Sequence, residues 1–141
     1  MKIQIKKSLF LALALIIASG LSMSLQAQTK AKKPWTVPDA SKNMKNPKKS
    51  DKETISAGKA NYEKFCKSCH GAKGLGDGPK SKTLDTPCGD FTKDLTSQSD
   101  GDLCYKIKEG RDDMPSFKKK IPDDNDVWGI VVYLRSLAEG K

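Results

Sequence analysis

The chain has 141 residues, enough for one domain and too few for a two-domain enzyme or for any fold that needs ~200 residues or more. Its formal charge of +9 is confined to the N-terminal third. Residues 51–141 carry 16 basic and 16 acidic side chains, so they lack the basic balance that nucleic-acid binding requires.

Apolar residues are just as uneven: residues 1–27 hold 17 of them and residues 51–141 hold 29, a lean set that needs a staple, a metal or an apolar cofactor to make a core. Lys2, Lys6 and Lys7 precede an unbroken apolar run from Leu9 to Ala18, and Leu25-Gln26-Ala27 offers a cut after Ala27. Residues 1–27 therefore predict an export signal, or, left uncut, a membrane anchor over residues 8–25. Both place the rest of the chain outside the cytoplasm, in a bacterium the periplasm, where thiols tend to be oxidised. Residues 28–50 hold seven lysines with Pro34, Pro38 and Pro47 and no apolar period. They read as a basic flexible linker, able to rest weakly on an anionic membrane surface.

The folded part is expected over residues 51–141. Ser50-Asp51-Lys52-Glu53 has capping-box spacing and starts a helix near residue 51, with Ile55, Gly58, Tyr62 and Phe65 on one face and Cys66 at its end. Residues 71–99 are rich in glycine and proline and read as irregular. A short helix fits about 100–109, with Asp100 and Asp102 in its first turn, Leu103, Cys104 and Ile107 on one face, and Gly110 as its stop. A loop holding Met114-Pro115 leads to a last helix after Pro122, lined by Val127, Ile130, Val131, Leu134 and Leu137. No alternating strand pattern exceeds three residues, so the fold class is all-α.

Cys66-Lys67-Ser68-Cys69-His70 is a C-x-x-C-H run, the spacing that attaches c-type haem. Two intervening residues let two thiols add across the two vinyl groups, and the adjacent histidine then falls under the iron. His70 is the only histidine in the chain, so bis-histidine ligation within it is excluded. The sixth position is left to Met44, Met114, a lysine or nothing, with Met114 favoured by its loop and by Pro115. Two other readings of the cysteines are a zinc site of Cys66, Cys69, Cys88 and Cys104, which lacks a second close pair, and a redox C-x-x-C, which lacks its β-α-β setting.

In order, the first helix, Cys66–His70, the glycine-rich loop, Met114-Pro115-Ser116-Phe117 and a terminal helix with Trp128 and Tyr133-Leu134 resemble class I cytochrome c, in its shorter bacterial form. The resemblance covers about residues 51–139. It implies a small helical wrap around one covalent haem c, with Cys66 and Cys69 as attachment points and His70 and Met114 on the iron. It also implies that Gly58 lets the last helix cross closely, with Tyr62 beside it and Ile130, Tyr133 and Leu134 opposite. The family does not usually carry further cysteines. In an oxidising compartment Cys88 and Cys104 are expected to form a disulfide, closing a loop worth roughly 3 kcal/mol in the chain-entropy model. The expected function is single-electron transfer between redox proteins, without nucleic acid and without catalysis. The alternatives are a haem sensor in which a small molecule displaces Met114, and an electron-entry subunit of a larger oxidoreductase complex.

Overall fold

A computed structural model describes residues 34–139; the export signal expected over residues 1–27, and residues 28–33, lie outside the described residues. The elements in chain order are α1 (Asp39–Lys42), α2 (Lys52–Phe65), α3 (Lys67–His70), a 3₁₀ turn (Pro79–Thr83), α4 (Phe91–Asp94), α5 (Asp100–Glu109) and α6 (Asp124–Glu139). Among the described residues there is no strand, only a single antiparallel bridge between Arg111 and Met114. None of these helices is long and apolar enough to cross a membrane.

Local chemistry sets the long helices. α2 starts where the Asp51 carboxylate accepts the Thr54 N–H at 2.8 Å, so the cap is Asp51, one residue beyond the Ser50 of the expected box. α5 opens on a reciprocal box: the Ser99 hydroxyl accepts the Asp102 N–H at 3.0 Å, and the Asp102 carboxylate accepts the Ser99 N–H at 2.8 Å. Gly110, at φ 67°, ends it. α6 carries Asp124 and Asp126 in its first turn, where they complement the helix dipole. Residues 127–134 of α6 are all buried, so this helix is surrounded rather than laid on a surface.

α2 and α6 cross backbone to backbone. A Cβ on Gly58 would lie 2.0 Å from the Gly129 carbonyl oxygen and 3.1 Å from the Tyr133 Cβ. The nearest partner of Gly58 is therefore Gly129, with Tyr133 flanking it, while Ile130 and Leu134 join the buried core beside them. One turn along α2, the Tyr62 ring meets Tyr133 with centroids 5.1 Å apart, and its hydroxyl donates to the Gly71 carbonyl at 2.6 Å. Arg135 of α6 fastens the other side. Its guanidinium donates to Asp100 Oδ1 (2.8 Å), the Leu95 carbonyl (2.8 Å) and the Gln98 carbonyl (2.6 Å), holding α6 against the start of α5.

Two expectations are corrected. Residues 34–46 are not a free linker. Val37 is buried, the Ser99 hydroxyl donates to the Lys42 carbonyl at 2.8 Å, and Asn46 Nδ2 donates to the Trp128 carbonyl at 3.2 Å. α1 lies directly on α5 at Gly101, where a Cβ would stand 1.9 Å from the Ser41 carbonyl oxygen. The docking rests on single residues scattered among lysines and prolines, which is why composition reads as linker. The Cys88–Cys104 bridge is also absent: both are free thiols. α5 turns Leu103 and Ile107 toward the cavity that Cys88 lines, whereas Cys104 is buried beside Lys108 and Asp124.

Substituting Gly58 by Ala should lower stability by about 1–3 kcal/mol, because the opposing atom is backbone and cannot rotate away. A melting temperature equal to wild type would contradict the close crossing. Alkylation of the denatured, unreduced chain followed by peptide mapping should label Cys88 and Cys104 separately. Recovery of one cross-linked peptide holding both would restore the bridge.

Candidate functional site

The end of α2 and the single turn of α3 build the first half of the site. The Cys66 N–H donates to the Tyr62 carbonyl at 2.8 Å, and the chain then rewinds, with the N–H groups of Cys69 and His70 donating to the Cys66 carbonyl at 3.1 and 2.9 Å. That turn brings residues i, i+3 and i+4 to one side: Cys66, Cys69 and His70. The glycine loop clamps it from outside. The Gly76 N–H donates to the His70 carbonyl at 2.9 Å and the Gly78 N–H to the Cys69 carbonyl at 3.2 Å. A side chain at position 78 would meet the Ser68 carbonyl oxygen at 2.5 Å, so only glycine permits this approach.

The second half is the turn after α5. The Arg111 N–H donates to the Met114 carbonyl at 2.7 Å and the Met114 N–H returns to the Arg111 carbonyl at 2.9 Å, with Asp112 at φ 50° on the tip. Any Cβ on Gly110 would fall 2.4 Å from the Met114 carbonyl oxygen. The Phe117 N–H reaches the Ile107 carbonyl at 3.2 Å and the Ser116 hydroxyl the Lys108 carbonyl at 2.6 Å, which fastens the turn to the end of α5. The Asp113 carboxylate accepts the Thr86 N–H at 2.8 Å and so joins this turn to the loop carrying Cys88.

Both halves face a cavity of about 640 Å³, within the range of about 300–1,000 Å³ of sites that hold a small molecule or cofactor. Cys66, Cys69, His70 and Met114 all line it, among Phe65, Phe91, Leu95, Leu103, Ile107, Phe117 and Leu134. Met114 is half-buried there; Met44 is 48% exposed and does not line the cavity. His70 stacks on Phe91, ring centroids 4.5 Å apart and planes 21° off parallel. Burial pulls its pKa down to about 4, so the imidazole is neutral at physiological pH and offers a lone pair. Its Nδ1 is buried without a hydrogen-bond partner, an uncompensated cost in a purely structural histidine.

Burial, and then the neighbouring Cys69, push the Cys66 thiol up to about 12. It is a protonated thiol in an apolar wall, unlike the lowered thiols of redox C-x-x-C sites. Among the described residues no group of three or more His, Cys, Asp or Glu side chains can hold a metal ion, so the four cysteines do not assemble a zinc site. An apolar cavity with two thiols, a neutral imidazole and a thioether suits a haem that is bonded to the chain and ligated at its iron.

Several lining residues have no counterpart in the sequence expectations. Phe91 sits on the four-residue α4, too short for a period, though its N-cap Asp90 accepting from Thr92 N–H at 2.9 Å is a local start signal. Trp35, Lys106 and Arg111 also line the cavity; a lone aromatic in a polar segment was the one hint of the first.

Residues 53–134 match the family model described as cytochrome C oxidase, cbb3-type, subunit III. The chain is also similar to a chain of the reducing HAO-like protein complex Kustc0457/Kustc0458 of Kuenenia stuttgartiensis, at 30% identity and a TM-score of 0.57. That match covers 75% of this chain and 51% of the other, so the protein spans about half the length of its solved relative. No curated protein matches the chain. The family match runs from the first turns of α2 through the Cys66–His70 turn and the Met114 turn into α6, and the chain belongs to this family of cytochrome c domains, small helical folds of haem-based electron transfer.

Proposed function

We propose that the protein is an extracytoplasmic single-electron carrier holding one haem c, attached through Cys66 and Cys69 and ligated by His70 and Met114. The observation that carries this is the convergence of these four side chains on one largely apolar cavity. When bound, the haem supplies the one-electron ferric–ferrous couple.

The chain's own residues set the terms of that couple. Phe91 fixes the plane of the His70 ring, and burial keeps the imidazole unprotonated. Met114 offers a neutral thioether, which favours the ferrous state and raises the potential. Gly110 and the bonds of the Met114 turn hold that sulfur's backbone in place without needing a bound ligand. Phe65, Leu95 and Phe117 keep water off the cavity wall, which stabilises the less charged redox state. With His70 and Met114 both holding the iron, the chain would leave no ligand position for a substrate, which favours a carrier over an enzyme. The fastened Met114 turn likewise favours a carrier over a sensor. Export rests on residues 1–27 and on the extracytoplasmic setting of thioether attachment.

A role as an electron-entry subunit has its own support. The family model is that of an oxidase subunit, and the solved relative belongs to a protein complex. The donor and acceptor would then be fixed neighbours rather than diffusing proteins.

After denaturing electrophoresis, haem stain should follow the polypeptide, and Cys66→Ser/Cys69→Ser should abolish it. Haem lost to acid–acetone extraction of the native protein would defeat the covalent reading. Met114→Ala should remove the weak red-end absorption band of a thioether on ferric iron, lower the reduction potential and let the ferrous protein bind carbon monoxide. Since Met114 is only half-buried, the fold should survive. Prompt carbon monoxide binding by the wild-type ferrous protein would show an open site and favour the sensor.

A further inference from the structure

Residues 34–46 precede the region matched by the family model, yet they are tied into the domain at both ends. At one end the Ser41 backbone rests on Gly101 in the first turn of α5, the Ser99 hydroxyl donates to the Lys42 carbonyl at 2.8 Å, and Asn46 Nδ2 donates to the Trp128 carbonyl of α6 at 3.2 Å. The other end lies past the far end of α5, beside the residue that follows Gly110. There Arg111 Nη1 donates to the Pro34 carbonyl at 2.8 Å, and the guanidinium lies over the Trp35 ring, 4.4 Å from its centroid. The main chain of the same Arg111 exchanges two hydrogen bonds with Met114, at 2.7 and 2.9 Å. One residue thus joins the segment to Met114, by its side chain in one direction and by its backbone in the other.

The charges at this junction are already balanced. Asp112 pairs with Arg111 Nε at 3.2 Å, Asp102 attracts Lys106, and Lys106 Nζ donates to Gln98 Oε1 at 2.5 Å. What Pro34 and Trp35 add is therefore placement: a carbonyl and a flat ring fix a planar guanidinium in two directions. The other fastenings of the turn act further along it, on Asp113, Ser116 and Phe117. Arg111 is where the chain enters the turn, just before Asp112 at φ 50°, a sparsely populated conformation for a residue with a side chain. A turn with such a tip opens more readily when its entering residue is loose.

Resting on the reading of Met114 as an iron ligand, we propose that Trp35 is a positioning residue for that ligand: with Pro34 it holds Arg111, and through Arg111 it keeps the Met114 turn closed. Methionine leaves the iron only when the turn opens, and the docked segment lowers the population of the open turn. Residues 34–46 thereby set how firmly the sixth position is held, from outside the region that the family model matches.

Titrating the ferric full-length holoprotein with imidazole measures that opening, because imidazole takes the sixth position from the open turn and removes the weak red-end band as it binds. Trp35→Ala should raise the apparent imidazole affinity roughly three- to tenfold, the effect of losing a cation–π contact and loosening one hydrogen bond. The Met114 amide, bonded to the Arg111 carbonyl, should exchange its hydrogen faster by a similar factor, which a merely wider cavity would not produce. Trp35→Phe, which keeps a flat ring under the guanidinium, should stay within about twofold of wild type in both. Asp51→Ala removes the α2 cap far from the segment; it should lower the melting temperature and leave the imidazole affinity unchanged, which separates positioning from general stability. If Trp35→Ala yields no holoprotein, Trp35→Leu, which keeps apolar volume without a ring face, decides in its place. Tryptophan variants that match wild type, or that gain imidazole affinity without faster exchange, overturn the positioning role and leave the Met114 reading standing. A wild-type ferric protein without the red-end band overturns the ligand reading itself, and the positioning role with it.

Discussion

At the crossing of α2 and α6 the Gly58 backbone meets the Gly129 carbonyl with no room for a single methyl group. Glycine in mid-helix is a poor choice in isolation, by about 0.5–1 kcal/mol against alanine. Here it removes the spacer between two helices and lets their neighbours pack at full density. The consequences run outward in both directions. Along α2, the crossing sets Tyr62, whose hydroxyl reaches the carbonyl of Gly71, the residue after His70. Along α6, it sets Leu134 on the cavity wall and Arg135 against the carbonyls that precede α5. The position of the C-x-x-C-H turn relative to the opposite wall is thus fixed by a contact between atoms that do no chemistry.

The cavity's electrostatics follow from the same packing. Burial keeps His70 neutral and Cys66 protonated, so both present their uncharged forms inside. Charged side chains also stand on the lining: Lys64, Lys80 and Lys120 are exposed, while Lys106 and Arg111 are half-buried over the Trp35 ring. A wall lined mainly by apolar side chains suits an occupant that is apolar over most of its area. The lean core of residues 51–141 makes sense in the same terms, since a large apolar occupant supplies surface that the side chains lack.

The parts of this structure that are legible in the sequence are those encoded within one turn or one period. Ser99 and Asp102 sit three apart and cap α5; Cys66, Cys69 and His70 sit within five residues and need only a helical turn to converge. The apolar stripe of α6 is long enough for its period to show. What stays hidden depends on a partner distant in sequence. Gly129 has meaning only opposite Gly58, and Gly101 only beneath Ser41. The docking of residues 34–46 rests on Val37, Ser41 and Asn46, spaced four and five apart among exposed lysines, a pattern that no helix or strand period detects. The cysteine pairing failed for a related reason: helical spacing puts Cys104 next to Leu103, and 100° of rotation is enough to send one to the cavity and the other away.

Docking also changes what the basic segment can do. Its inner face is held by Val37, Ser41 and Asn46, while Lys42, Lys45, Lys48 and Lys49 remain exposed on the outside. A free basic tail would attract acidic surfaces from any direction and would orient nothing. Lysines on a docked segment that also lines the cavity through Trp35 stand at a fixed place relative to that cavity. Under the proposed carrier reading, an acidic redox partner drawn by them would meet the cavity in a defined orientation, and electrostatic steering of this kind raises the rate of productive encounter more than the strength of the complex. The docked segment thus joins the cavity wall through Trp35 and holds its exposed lysines at a fixed place beside it, through one short run of residues.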